Sequence, residues 1–171
     1  MTRENFNQPM RRLARTMLLA LAAGAALGGS TAGKAAQPKS PVEVAVQFLQ
    51  SFADKDMETV RSLFAPGALV QRARLSGQGG PPELASFQAG PWADESERGV
   101  AQVQDFKIEV LETNQIGFGE GQTVSLRFRA TGKVGNGMAF VNNGVDTFSL
   151  VQVEGAWRIL LYNSIEQFQF Q

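Results

Sequence analysis

The chain is 171 residues long, with 16 Lys plus Arg balanced by 16 Asp plus Glu, 43% apolar and 19% charged, which is the composition of one globular domain with room for a short extension. The absence of Cys excludes disulfides, thiolate metal sites, a Cys nucleophile and a Cys-borne lipid anchor. The absence of His excludes Ser-His and Cys-His catalysis, the usual zinc sites and an imidazole base.

The first 36 residues read as an address. Arg3, Arg11, Arg12 and Arg15 precede an apolar run from Met17 to Leu27, and small residues follow from Gly28 to Gly33. A positive start, a short apolar middle and a small-residue end make a secretory signal peptide. The run is too short for a stable span, which needs about 20 apolar residues. Ala14 and Arg15 stand where a twin-arginine signal wants bulky apolar residues, so Arg11-Arg12 fits the general secretory route better. The expectation is export to the periplasm or medium, with cleavage between about Ala32 and Gln37. Residues 37–40 then form a linker and 41–171 the domain. Removing the leader leaves 11 basic and 15 acidic residues, net −4. That surface argues against nucleic acid or an anionic membrane as partner, because both need a positive field.

Ser40-Pro41-Val42-Glu43 is a helix start: Ser40 caps the Glu43 amide, Glu43 reaches back, and Pro41 sits where no N–H is needed. Val44, Ala45, Phe48, Leu49, Phe52 and Ala53 follow as one apolar stripe. Asp56 caps a second helix carrying Met57, Val60, Leu63 and Phe64, and Pro66-Gly67 stops it. Ala68 to Leu75 is a candidate strand. Ser76 to Pro82 is a loop by composition, Glu83 to Phe87 a short helix, and Gly90 to Gly99 a solvated loop carrying Trp92 and the charged residues Asp94, Glu95, Glu97 and Arg98.

From Val100 the period changes to two. Phe106, Ile108 and Val110 alternate with Lys107 and Glu109, and Val124, Leu126 and Phe128 with Ser125, Arg127 and Arg129. Gly117 to Gly121, Gly132 to Gly137 and Asn142-Asn143-Gly144 mark turns. Val145 to Val153 and Ala156 to Phe168 are two more strands, joined at Glu154-Gly155 by a two-residue hairpin turn. Helices first and strands after mean an α+β fold.

The segments Pro41–Phe52, Asp54-Lys55-Asp56, Val60 to Ala68, Gly144 to Val151 and Gly155 to Ile159 resemble the nuclear transport factor 2-like superfamily, its SnoaL-like and lumazine-binding-like branches included. The resemblance spans about Pro41 to Phe168. It implies a curved antiparallel sheet wrapped around N-terminal helices, a cone with an apolar pocket that is often dimerised through the outer sheet face. The family's enzymes use an Asp base, an Asp–His pair, or Tyr with a protonated Asp. This chain has no His and one Tyr, and no position matches a family catalytic motif.

Four residues are candidates for a ligand site. Asp146 reads as a strand-start residue bonding turn amides, with a pocket acid or base as the alternative. Tyr162 reads as a packed ring with its hydroxyl at the sheet edge. Trp92 either closes over a pocket mouth or plugs its own loop. Asn163 shares a side with Trp157, Ile159 and Leu161, which makes it the best candidate for a polar group facing the cavity. Arg127 and Arg129 read as cross-strand partners on a solvated face. No phosphate loop and no calcium-loop spacing occurs, so neither metal nor cofactor is expected.

Three functions follow. The first is a binding module for a small, mostly apolar molecule. The second is an interaction domain whose pocket is filled by its own Phe residues, of which the chain has twelve. The third is an isomerase, cyclase or dehydratase using Asp146 and Tyr162. A homodimer through the sheet backs is also expected, with Leu160 and Tyr162 on the outer face. That arrangement and the enzyme reading place Tyr162 on opposite sides.

Overall fold

A computed structural model describes residues 39–75, 80–135 and 137–171. The leader and Ser76 to Gly79 lie outside the described residues. Three helices, α1 (Pro41–Ala53), α2 (Met57–Ser62) and α3 (Ala89–Ala101), accompany six strands. The strands are β1 (Phe64–Leu75), β2 (Glu83–Gln88), β3 (Gln104–Phe118), β4 (Gly121–Val134), β5 (Met138–Val153) and β6 (Ala156–Phe170). They form one curved sheet in the order β2-β1-β6-β5-β4-β3. Neighbours are antiparallel except β1 and β6, which run parallel, so the sheet is mixed rather than wholly antiparallel.

The helix starts follow from their caps. The Ser40 side chain accepts from the Glu43 amide at 3.2 Å and the Glu43 carboxylate accepts from the Ser40 amide at 2.6 Å. The Asp56 side chain accepts from the Thr59 amide at 3.0 Å. Val44, Ala45, Phe48 and Leu49 of α1 are buried against the concave sheet face. Phe48 is the hub: its ring lies 4.8 to 6.3 Å from those of Phe52, Phe64, Trp92, Phe148 and Tyr162.

Four segments depart from expectation. Pro66-Gly67 does not end α2. The helix closes at Ser62, and β1 runs through Pro66-Gly67 with a break in register against β6 between Phe64 and Leu69. Glu83 to Phe87 is not a helix but the edge strand β2, held by backbone pairing to β1. Gly90 to Gly99 is not a loop but the body of α3, because Trp92, Ala93 and Val100 recur at helical spacing and are buried while the charged residues face out. Arg61 of α2 pairs with Asp94 at 2.8 Å and Glu97 at 2.6 Å on that outer side. Asn142-Asn143-Gly144 is not a turn but lies inside β5. A Cβ on Gly144 would stand 2.6 Å from the Ile165 carbonyl oxygen and 2.7 Å from the Phe128 ring, so this glycine serves close packing rather than chain reversal.

The other expected turns are shorter than the sequence suggests, because Gly117 lies inside β3 and Gly132 inside β4. Glu154 (φ 53°) and Gly155 (φ 78°) close the β5–β6 hairpin. Arg127 pairs with Glu112 at 3.1 Å and Arg129 stands opposite Glu109 on the solvated face.

Candidate functional site

Along β6 the regular alternation breaks once. Leu150 faces Ile159, but Ser149 faces Leu161, so Leu160 is an extra residue. This bulge leaves Leu160 and Leu161 outside and brings both Ile159 and Tyr162 inside. The inner face is consequently a lattice of rows running across the strands. Val70, Tyr162, Phe148 and Val124 form the first, Arg72, Ser164, Asp146 and Leu126 the second, and Arg74, Glu166, Gly144 and Phe128 the third. Apolar residues thus make the floor, and a polar band crosses β1, β6 and β5 above it.

A cavity of about 340 Å³ stands over this band. Leu49 and Phe52 of α1, Trp92 and Val100 of α3, and Phe106, Ile108, Phe128 and Phe140 of the sheet supply its apolar wall. Asn142, Asp146, Tyr162, Ser164, Glu166, Arg72 and Arg74 supply its polar side.

The Tyr162 hydroxyl donates to Asp146 Oδ2 at 3.1 Å, and both residues are buried. The second carboxylate oxygen, Oδ1, is buried with no hydrogen-bond partner. Burial pushes the Asp146 carboxyl up to about 7; the Ser164 and Tyr162 hydroxyls pull it down in part, and the charge of Glu166 adds to the rise. Burial, and after it the neighbouring Asp146 charge, drives the Tyr162 hydroxyl well above its ordinary value, so it stays protonated as a donor.

Glu166 organises the other end. Its Oε1 accepts from Arg74 at 3.3 Å and lies 3.9 Å from the Arg72 Nε, while its Oε2 accepts from the Asn142 amide at 3.2 Å. Arg72 lies over the Phe87 ring at 5.7 Å and Arg74 over Phe168 at 5.2 Å. Two further buried polar atoms here have no partner, Arg74 Nε and Asn142 Oδ1.

No family model matches the chain, and no curated protein does. Solved structures do. One is a protein of the nuclear transport factor 2-like group, of unknown function in nutrient uptake, from Rhodospirillum rubrum, at TM-score 0.55 and 14% identity, over 74% of this chain and 98% of that one. Another is a hexachlorocyclohexane dehydrochlorinase (LinA, type 2), at TM-score 0.60 and 10% identity, over 75% of this chain and 84% of that one. A third is a ketosteroid isomerase-like protein from Erwinia carotovora atroseptica, at TM-score 0.51 and 17% identity, over 72% of this chain and 90% of that one. The chain has the nuclear transport factor 2-like fold. At these identities the likeness concerns the scaffold, and the site has to be argued from its own atoms.

Within this nuclear transport factor 2-like cone, three of the four candidate residues come together. Trp92 is buried in the wall, its ring 5.5 Å from that of Tyr162, neither a loop plug nor a free lid. Asp146 is not a turn-bonding strand start but sits mid-strand, 1% exposed. Tyr162 lies neither with its hydroxyl at the sheet edge nor on the outer face expected for a dimer, but turns inward to Asp146, because the bulge leaves Leu160 alone of the pair outside. Asn163 is the exception: the bulge at Leu160 shifts the phase, and Asn163 lines an outer groove with Gln71, Leu84 and Ile165. No sequence motif marks Arg72, Arg74, Asn142, Ser164 or Glu166 as members of the site. The available signal was the alternation of β1, where Arg72 and Arg74 share the side of the buried Ala68 and Val70.

Among the described residues no helix is long and apolar enough to cross a membrane, and no three acidic side chains gather as a metal site.

Proposed function

We propose that this domain binds a small, mostly apolar molecule in the cone. The observation that carries the reading is the cavity itself: about 340 Å³, apolar on most sides, with three buried polar atoms left unpartnered on residues that line it. That volume lies within the usual range of small-molecule sites, about 300 to 1,000 Å³. Unpartnered buried polar atoms cost about 1–3 kcal/mol each, and a ligand or ordered water that pairs them recovers that free energy. The self-filled alternative fits less well, because the Phe residues around the cavity form its wall and leave its centre open.

The test is titration of the full chain with 4-phenyl-1-butanol, read by tryptophan fluorescence and calorimetry. Binding at one equivalent, with the fluorescence change lost in Trp92→Phe, is the expected result. Absence of heat and of any fluorescence change, both with this alcohol and with the corresponding acid 4-phenylbutanoate, refutes the cavity reading.

A second reading is supported by Asp146, whose unpartnered oxygen belongs to a carboxyl titrating at about 7 on the cavity wall. A group half-ionised near neutrality suits proton transfer. It predicts that the protein in heavy water exchanges the protons next to the carbonyl of 4-phenyl-2-butanone, and that Asp146→Asn does not. Parent and variant exchanging alike would exclude it.

The leader motivates export by the general secretory route to the periplasm or medium, tested by intact-mass measurement on protein from the native host. A mature species retaining Met17 to Leu27 contradicts export with cleavage. The domain is also proposed to pair through the outer sheet face.

A further inference from the structure

We infer that the ligand of this cavity is an acid, its apolar body against the aromatic wall and its carboxylate held by Arg72 and Arg74; the inference rests on the binding function proposed above. Two guanidinium groups stand at this end of the cavity, and the carboxylate between them belongs to Glu166 alone. Glu166 is shared among three partners: Oε1 accepts from Arg74 and lies near Arg72, and Oε2 accepts from Asn142. Each guanidinium carries five N–H donors. Among the described residues, Arg72 makes no side-chain hydrogen bond and approaches one carboxylate, that of Glu166, at 3.9 Å. Arg74 has one bond at 3.3 Å and a 4.0 Å approach to the exposed Glu83, and its Nε is buried without a partner.

The other charged groups offset the two arginines only in part: Glu83, 4.0 Å from Arg74, is exposed and its charge is screened by water. Asp146 holds its proton over much of the range below neutrality because burial disfavours its charge. Glu95 of α3 reaches the cavity from the opposite side but is exposed at the rim, where water screens it. The local balance therefore favours an anion. A planar fork of N–H donors matches the two oxygens of a carboxylate, the anionic group that an otherwise apolar ligand carries with least bulk. Phe87 and Phe168 lie beneath the two guanidiniums and support their planes, so less freedom is lost when a carboxylate docks. Below neutrality Asp146 adds a donor, and the Asn142 Oδ1 is an acceptor for a hydroxyl elsewhere on the ligand.

The experiment compares three probes of one apolar body by calorimetry on the full chain: 4-phenylbutanoate, 4-phenyl-1-butanol and 4-phenylbutylamine. The acid is expected to bind about tenfold tighter than the alcohol, the worth of one charge-assisted contact, with the amine weakest. Arg74→Gln and Arg72→Gln, each checked for an unchanged melting profile, should bring the acid's affinity down to that of the alcohol measured on the same variant; two positions keep the test decisive if one variant fails to fold. An alcohol that binds as tightly as the acid, an amine that binds tighter, or an acid preference surviving both variants overturns the inference while leaving the cavity function standing. No binding by any of the three removes the cavity function itself.

Discussion

Replacing Asp146 by Asn tests the burial of this carboxyl directly. In the folded chain the carboxyl titrates at about 7, whereas its ordinary value is 3.8. The folded state therefore keeps a proton that the unfolded chain releases. Below about pH 4 both states are protonated and the group is neutral in both. As pH rises from there, only the unfolded state gains by ionising, so stability falls until the folded carboxyl also ionises near pH 7, and it levels off above that. Three pH units at 1.36 kcal/mol each amount to roughly 4 kcal/mol, a large share of a typical domain stability of about 5–15 kcal/mol. Glu43, Asp56 and Asp105 have lowered values and act in the opposite sense at lower pH, but they are shared by parent and variant and drop out of the difference. The assay is urea unfolding of both proteins, followed by tryptophan fluorescence, from about pH 5 to about pH 8. The stability of Asp146→Asn relative to the parent should rise by about 3 kcal/mol across that range. Parallel pH curves for the two proteins would refute the buried, proton-holding carboxyl.

Phe48, 1% exposed at the meeting of five aromatic rings, should cost about 3–5 kcal/mol when cut to Ala; a Phe48→Ala protein with the parent's urea midpoint would contradict the packing. Tyr162→Phe removes the hydroxyl that donates to Asp146, so the carboxyl should titrate still higher, and its NMR titration should move upward rather than downward. Light scattering on the full chain should give a dimer mass, with Ile165→Glu giving the monomer. That residue is 50% exposed on the outer face, paired across the strands with Val145 and Ala73, and a monomer mass for the parent would exclude the dimer.

How much was legible in the sequence depended on whether the signal was local. The start of α1 was legible because Ser40 and Glu43 satisfy each other's amides within four residues. The inward phase of Asp146 was also available, since it alternates with Phe148 and Leu150, yet the neighbouring Asn143-Gly144 suggested a turn. Gly144 is a glycine for a reason the sequence does not display, the Phe128 ring across the strand. The helix α3 hid behind Gly90, Pro91, Gly99 and four charged residues, because only its few buried positions report the helical period. The assembly of Arg72, Arg74, Glu166 and Asn142 was not legible at all. It depends on β1 lying parallel to β6, a pairing between segments some 90 residues apart in the chain.

The bulge at Leu160 separates two properties that a plain strand would tie together. Ile159 and Tyr162 face inward with two residues between them. Shortening that gap by one residue would restore simple alternation and leave Tyr162, Ser164 and Glu166 facing in. The change would fall on curvature, because a bulge bends and twists its strand. The parallel neighbour β1 breaks register over the same stretch, between Phe64 and Leu69, so both strands bend together beneath the cavity. Descendants of this chain can therefore alter the room inside the cone by gaining or losing one residue here while its chemistry is kept, and alter the chemistry by substitution along β1 and β6 while the room is kept.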